Sequence, residues 1–165
     1  MPTNMDRLIA LLTEKERIME EMAGSLTEEQ SRIIEMNAAA VTDSTRSKEE
    51  VTARLALVTA ECRDLMGVVG SERGMESSGA LTLLMTVASD AERKTLAPLQ
   101  QRLLRLAEDL VRRQDLNRRL LVRSLALIER SISLFSRVLG GCDTYGAHGH
   151  VSTGAAGLSF LSREI

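Results

Sequence analysis

A ladder of apolar residues between Leu96 and Val138 constrains this chain more than any other feature of its sequence. Alternate steps of three and four residues from Leu96 meet thirteen positions, and nine of them are aliphatic. The positions are Leu96, Leu99, Leu103, Leu106, Leu110, Arg113, Asn117, Leu120, Ser124, Leu127, Ser131, Leu134 and Val138. A 3.5-residue apolar repeat of this length predicts one long α-helix that packs a narrow seam against partner helices with left-handed supercoiling.

The composition also favours helix packing. Hydrophobic residues make up 44% of the chain, but aromatic residues only 2%. A core of aliphatic and methionine side chains is typical of helical bundles, and 165 residues are enough for one domain with a buried core. We therefore expect an all-α fold, an antiparallel bundle of about three long helices and one short helix with coiled-coil packing.

Charge and hydropathy exclude several classes of partner. The 21 Lys and Arg residues nearly balance 23 Asp and Glu, so the chain lacks the excess of positive charge that nucleic-acid binding usually requires. No apolar run approaches the ~18 residues of a membrane span, and the first residues lack the pattern of a signal peptide. We expect a cytoplasmic protein that neither binds nucleic acid nor inserts into a membrane.

The first half of the chain predicts two long helices. The first covers residues 4–23, after which Gly24 and the capping-box pair Ser25 and Glu28 indicate either a turn or a kink in a continuous rod. The second has a seam that begins at Ile34 and ends at Leu65. Its middle, from Asn37 to Lys48, is polar, and we expect that part to be solvated or loosely packed.

Glycines between residues 67 and 79 predict the one substantial interior loop, and their spacing does not fit a phosphate-binding loop. A short buried helix is expected over residues 80–88. A second capping-box pair, Ser89 and Glu92, then begins the last long helix.

Pro98 interrupts this last helix about two turns after its start. The apolar ladder keeps its phase on both sides of Pro98, which favours a kink over a break. Gly140 and Gly141 are expected to end the helix. We therefore divide the chain into a helical bundle domain, residues 1–141, and a flexible Gly-rich tail, residues 142–165.

The sequence offers little for catalysis. Cys62 and Cys142 belong to no metal-binding spacing, and His148 and His150 lie in the Gly-rich tail, where nothing holds them in place. We expect no enzyme, no cofactor and no metal. A metal site built on the tail histidines is the alternative that would make the chain an enzyme.

Polar residues within the ladder are more informative. Asn117 occupies a core position, where a buried amide fixes helix register, and Arg113 is harder to bury. Ser124 and Ser131 are small enough to admit a neighbouring helix closely or to leave a shallow groove. Ordinary variation in packing explains the same residues.

Two motifs carry a resemblance to a known family. The segment from Asn117 through Leu120 and Leu121 to Ser124 and Leu125 resembles the Asn-x-x-Leu-Leu-x-x-Ser-Leu segment of the FlgN-like flagellar export chaperones. Residues 144–149, Thr-Tyr-Gly-Ala-His-Gly, are similar to the Tyr-Gly-x-x-Gly motif of that family. The resemblance covers about residues 5 to 150. From their positions in the ladder, we also assign Asn117 and Ser124 to the register of the bundle.

The resemblance implies a cytoplasmic chaperone without catalysis for the hook-associated proteins of the hook–filament junction. It would hold the C-terminal helical region of that cargo, prevent premature assembly, and deliver the cargo to the cytoplasmic domain of the export gate. The motif assigns gate docking to Tyr145, Gly146 and Gly149.

We place the cargo groove on the second half of the last helix, where an amphipathic cargo helix can lay its apolar stripe. The residues expected to bind cargo are Leu127, Ser131, Leu134, Phe135 and Val138. A structural coiled-coil adaptor without chaperone activity is the alternative to this function.

Overall fold

Four helices and no strand make up the part of the chain that the structure, a computed structural model, describes, residues 2–75 and 80–140. They are α1 (Asn4–Ile34), α2 (Ala38–Glu72), α3 (Leu81–Val87) and α4 (Asp90–Gly140). Three long helices and one short helix confirm the predicted all-α bundle. The chain divides into a first compact unit, Met1–Leu121, and a second that begins at Val122.

Helix α1 is continuous through Gly24. Of the two alternatives at this glycine, a turn or a continuous rod, the structure shows the continuous rod. The helix begins with a capping box, in which the Asp6 amide donates to Thr3 Oγ1 at 3.1 Å and the Thr3 amide donates to Asp6 Oδ2 at 2.8 Å. The Thr3 hydroxyl, which donates to Asp6 Oδ2 at 2.7 Å, and the Thr3 amide lower the pKa of Asp6. Ser25 caps nothing, because its hydroxyl donates to the Glu21 carbonyl within the helix.

The chain reverses at residues 35–37, so the prediction of one helix through Ile34 and Asn37 is wrong. Met36 adopts a left-handed backbone conformation with φ of 54°. Asn37 then caps α2, since its Oδ1 accepts a hydrogen bond from the Ala40 amide at 3.1 Å. Asparagine is a good N-cap because its short side chain replaces a missing helical acceptor, and three alanines follow it.

Helix α2 continues through Gly67 and Gly70 and ends at Glu72, later than the glycine-rich sequence predicts. The Met75 amide donates to the Gly70 carbonyl and the Gly74 amide to the Ser71 carbonyl, which is the Schellman arrangement. Gly74 has φ of +76°. Of the glycines described here, only Gly74 therefore ends a helix in the left-handed conformation.

The capping box that begins α4 is present as predicted. The Ser89 amide donates to Glu92 Oε2 at 2.7 Å, and the Glu92 amide donates to Ser89 Oγ at 3.3 Å. Glu92 also accepts two bonds from the Arg73 guanidinium, at 2.6 and 2.9 Å, which joins the end of α2 to the start of α4. Helix α4 continues through Pro98 without a break.

Helix α3 is less buried than the sequence predicts. Leu84 is fully buried, whereas Leu83 and Val87 are exposed. The prediction of a short buried helix over residues 80–88 is therefore right for Leu84 and wrong for the face that exposes Leu83 and Val87.

The core of the first unit consists of two apolar clusters. One joins all four helices and the other joins α1 and α2, with Leu110 of α4 packed against it. The first contains Met5, Leu8, Leu12, Cys62, Val69, Leu84, Leu96 and Leu99; the second contains Ile18, Met22, Leu26 and Val51. The first residues of the α4 ladder thus anchor the fold.

Candidate functional site

The second unit presents an unusually apolar helical surface. Over residues 122–140, helix α4 exposes at least two-fifths of each of its large apolar side chains. They are Val122, Leu125, Leu127, Ile128, Ile132, Leu134, Phe135, Val138 and Leu139. Large exposed apolar surfaces of this kind mark sites of interaction. We call residues 122–140 the apolar helix segment.

The residues predicted to bind cargo all lie on this segment. Leu127, Leu134 and Val138 are exposed and follow the ladder, so the helical period places them on one face. Phe135 is 63% exposed beside them. Ser131 donates a hydrogen bond to the Leu127 carbonyl at 3.0 Å, which satisfies its hydroxyl within the helix.

Four further apolar residues widen this face beyond the predicted set. Leu125, Ile128, Ile132 and Leu139 lie at positions next to the ladder and are also exposed. The sequence signals them, because they recur one residue after the ladder positions, but it does not reveal whether a neighbouring helix covers them. Ser124 lies on the same segment.

Asn117, the other residue assigned to register, lies in the first unit and is 4% exposed. Its amide nitrogen donates to the Leu26 carbonyl at 2.7 Å and to Glu29 Oε2 at 2.9 Å. Glu29 is also buried, and its other oxygen accepts a bond from Lys48 at 2.6 Å. The amide oxygen of Asn117 has no hydrogen-bond partner among the described residues.

We call the hydrogen-bonded residues Asn117, Glu29 and Lys48 the polar layer. The prediction that the polar middle of α2 is solvated is wrong at Ser44 and Lys48. Ser44 is 5% exposed and accepts a bond from Arg32 at 2.6 Å, while Lys48 reaches the buried carboxylate of Glu29. Most neighbouring residues are exposed as predicted. A polar layer ties helices in one register because any slip leaves buried polar groups unpaired.

Arg113 does not enter the core. Its guanidinium donates to the Asp109 carboxylate at 2.5 Å and to the Thr27 hydroxyl at 2.7 Å. The bonds from Arg112 and Arg113 lower the pKa of Asp109. Arg113 therefore links α4 to α1 at the edge of the bundle, in agreement with the difficulty of burying it.

A groove of about 380 Å³ lies in the first unit. Its floor includes Leu12, Met19 and Cys62, and its rim includes Lys15 and Arg63. Burial raises the pKa of the Cys62 thiol, which keeps the thiol protonated and unreactive. The groove therefore holds no activated nucleophile.

Several predicted features fall outside the described residues. These are Tyr145, Gly146, Gly149, Cys142 and the two histidines. Within residues 2–75 and 80–140, no group of three or more His, Cys, Asp or Glu side chains is placed to hold a metal ion. In the same ranges, no helix combines the length and hydropathy needed to cross a membrane.

Comparison with known proteins identifies the family of this chain. A family model described as FlgN protein matches residues 1–153. The chain belongs to the FlgN family. FlgN proteins are flagellar export chaperones. This chain therefore belongs to a family whose members handle other polypeptides. No curated protein and no solved structure matches the chain.

Proposed function

We propose that this FlgN protein is a cytoplasmic chaperone for the hook-associated proteins at the hook–filament junction. It binds their C-terminal helical region on the apolar helix segment, prevents their premature assembly, and delivers them to the export gate. The observation that carries the proposal is the exposure of nine large apolar side chains over residues 122–140. The proposed chaperone function needs neither catalysis nor a cofactor.

Binding by this segment has a clear driving force. Full burial of one large aliphatic or aromatic side chain contributes about 1.5–3 kcal/mol. The exposed fractions of Leu134 and Phe135, 61% and 63%, leave most of that contribution available to a guest. An amphipathic guest helix can bury these side chains through anchors spaced at i, i+3, i+4 and i+7.

We assign delivery of the cargo to the export gate to the tail, residues 142–165. Tyr145, with Gly146 and Gly149, is proposed to contact the cytoplasmic domain of the export gate, on the strength of the Tyr-Gly-x-x-Gly motif. Replacement Tyr145→Ala is expected to leave cargo affinity unchanged and to reduce export of the cargo. Equal loss of affinity and export would place Tyr145 at the cargo site instead.

The cargo site is tested by the double substitution Leu134→Asp with Phe135→Asp in the full chain. We expect at least a hundredfold loss of affinity for a C-terminal segment of a hook-associated protein, measured by calorimetry, because charged side chains cannot be buried against an apolar guest. The double substitution Leu57→Asp with Val111→Asp is the matched control, since those side chains are 65% and 70% exposed in the first unit.

Unchanged affinity in the Leu134 and Phe135 variant, with helicity retained, would contradict this placement. Absence of any binding by the unmodified chain would contradict the cargo itself. In that case the structural adaptor, in which another coiled-coil rod covers the apolar helix segment, explains the exposed surface better.

A further inference from the structure

Three arginines form a regular row along the apolar helix segment. Arg123, Arg130 and Arg137 are seven residues apart and exposed. Among the described residues, none of the three forms a salt bridge or a side-chain hydrogen bond. Arg112 and Arg119 on the same helix do form salt bridges, to Asp109 and Asp115 at 2.5 Å.

The position of this row in the heptad gives it a specific role. If Ser124, Ser131 and Val138 are a positions, each arginine of the row is at g, beside the d residues Leu127 and Leu134. Charged residues at e and g flank the apolar seam of a coiled coil and pair with residues of the partner helix, which sets partner choice and orientation.

The two edges of the apolar face differ in charge. The e positions, Leu121, Ile128 and Phe135, are apolar, so they supply no charge to balance the arginines. Glu129 is the one carboxylate of the apolar helix segment and lies at f, away from the seam. A guest that lies along the seam therefore meets positive charge along one edge only.

We propose that the segment captured on this face is an acidic amphipathic helix, whose carboxylates repeat every seven residues along the edge that meets Arg123, Arg130 and Arg137. This proposal rests on the proposed chaperone function and specifies the chemistry of its guest. The apolar face supplies the affinity, and the arginine row selects among amphipathic helices by their charge.

A second copy of the chain fits this face poorly. In an antiparallel pair of identical helices, the g row of one copy meets the g row of the other, which places arginine against arginine. In a parallel pair, the arginines meet the apolar e residues Ile128 and Phe135. Both arrangements leave the row without a carboxylate.

An anionic membrane surface is also a less suitable partner. Helices that lie on membranes usually carry Lys and Arg over their whole polar face. Here none of the f and c positions carries Lys or Arg; they are Val122, Glu129 and Ser136 at f, and Ala126, Ser133 and Gly140 at c. Ser124 and Ser131 within the seam leave space for the side chains of a guest helix.

The test uses three synthetic helical peptides of three heptads, with Leu and Ile at a and d. They differ only at e and g, where all residues are Glu, Gln or Lys. Affinity for the full chain is measured by fluorescence anisotropy at low and high salt. We expect the Glu peptide to bind about tenfold tighter than the Gln peptide, because three exposed ion pairs contribute this much together, and we expect the Lys peptide to bind most weakly.

The arginine row is then removed by the triple substitution Arg123→Gln, Arg130→Gln and Arg137→Gln. We expect the Glu preference to fall below twofold, while affinity for the Gln peptide is unchanged. The matched control, a triple replacement by Gln of Arg105, Arg112 and Arg119, removes the same charge from heptad c positions. It should retain the preference.

Equal affinity for all three peptides, or equal loss of preference in both triple variants, would overturn the inference. So would binding to vesicles of anionic phospholipid with no preference among the peptides. If hook-associated segments bind through Leu134 and Phe135 while the peptides show no preference, only this inference fails. If the Glu peptide is preferred but no hook-associated segment binds, the proposed cargo fails and the charge selection stands.

Discussion

At the scale of single residues, the polar layer predicts how substitutions at Asn117 change the free energy of unfolding. Asn117→Ala removes two buried hydrogen bonds and should destabilise the chain by about 1–3 kcal/mol. Asn117→Asp should cost roughly 2 kcal/mol more at pH 7, because a second carboxylate then faces the buried Glu29. Urea denaturation at several pH values measures both costs.

The sign of the pH dependence follows from the crowded carboxylates. The repulsion raises the folded-state pKa of the introduced carboxyl above its unfolded value of about 4, so the extra cost of Asn117→Asp should be complete at neutral pH and shrink as the pH falls towards about 4. Equal stability of the Ala and Asp variants across this range would show that Asn117 and Glu29 do not meet.

Glu92 has the opposite dependence on pH. The Arg73 guanidinium and the bonds from Ser89 lower the pKa of Glu92 from its ordinary 4.5 to about 2. A shift of this size corresponds to about 3 kcal/mol, which solvent screening of the partly exposed pair reduces to roughly 2 kcal/mol. This contribution is present at neutral pH and is lost as the pH falls from about 4.5 towards 2.

Glu92→Gln should accordingly destabilise the chain at pH 7 and flatten its stability between pH 4.5 and 2. Glu49→Gln is a suitable control, because Glu49 is exposed and forms no salt bridge among the described residues. The same acid dependence in the Glu92 variant and the unmodified chain would contradict the Arg73 pairing.

The sequence indicates some of these residues but not their partners. The ladder places Asn117 at a core position, and the Ser89–Glu92 spacing predicts the cap of α4. The bond from Asn117 to Glu29 and the bond from Lys48 to Glu29 could not be predicted, because both depend on where the chain reverses between α1 and α2.

At the scale of helices, the glycines of α2 provide a matched pair. Gly74→Ala should destabilise the chain by about 1 kcal/mol, because alanine is strained at φ of +76°. Gly67→Ala should stabilise it by roughly 0.5–1 kcal/mol, because Gly67 is inside the helix and an added Cβ would meet no atom within 4 Å. Thermal unfolding of both variants provides the measurement.

The ends of the helices were harder to predict than the helices themselves. Gly67, Gly70 and Gly74 look alike in the sequence, and the packing of Val69 and Cys62 in the core keeps α2 helical past the first two. The break at Met36 has only a weak local signal, the Asn37 cap. Tertiary contacts therefore decided which of several possible breaks occurs.

At the scale of the whole molecule, one heptad ladder serves two purposes. Leu96 and Leu99 are buried in the first unit, whereas Leu127, Leu134 and Val138 continue the same ladder in the second unit and are exposed. The apolar repeat predicts a seam along all of α4, but it does not indicate how far the chain's own helices cover that seam. For that reason, the structure was needed to show that the predicted cargo residues are exposed.

Hydrogen exchange of the full chain tests whether residues 122–140 are uncovered in the free protein and bind the cargo, since exchange reports local opening of a helix. In the free protein, amides of residues 122–140 should exchange faster than those of residues 96–110. A C-terminal segment of a hook-associated protein should then slow exchange across residues 122–140 by at least tenfold and leave α2 unchanged. New protection confined to α1 or α2, with residues 122–140 still exchanging as in the free protein, would contradict the proposed cargo site.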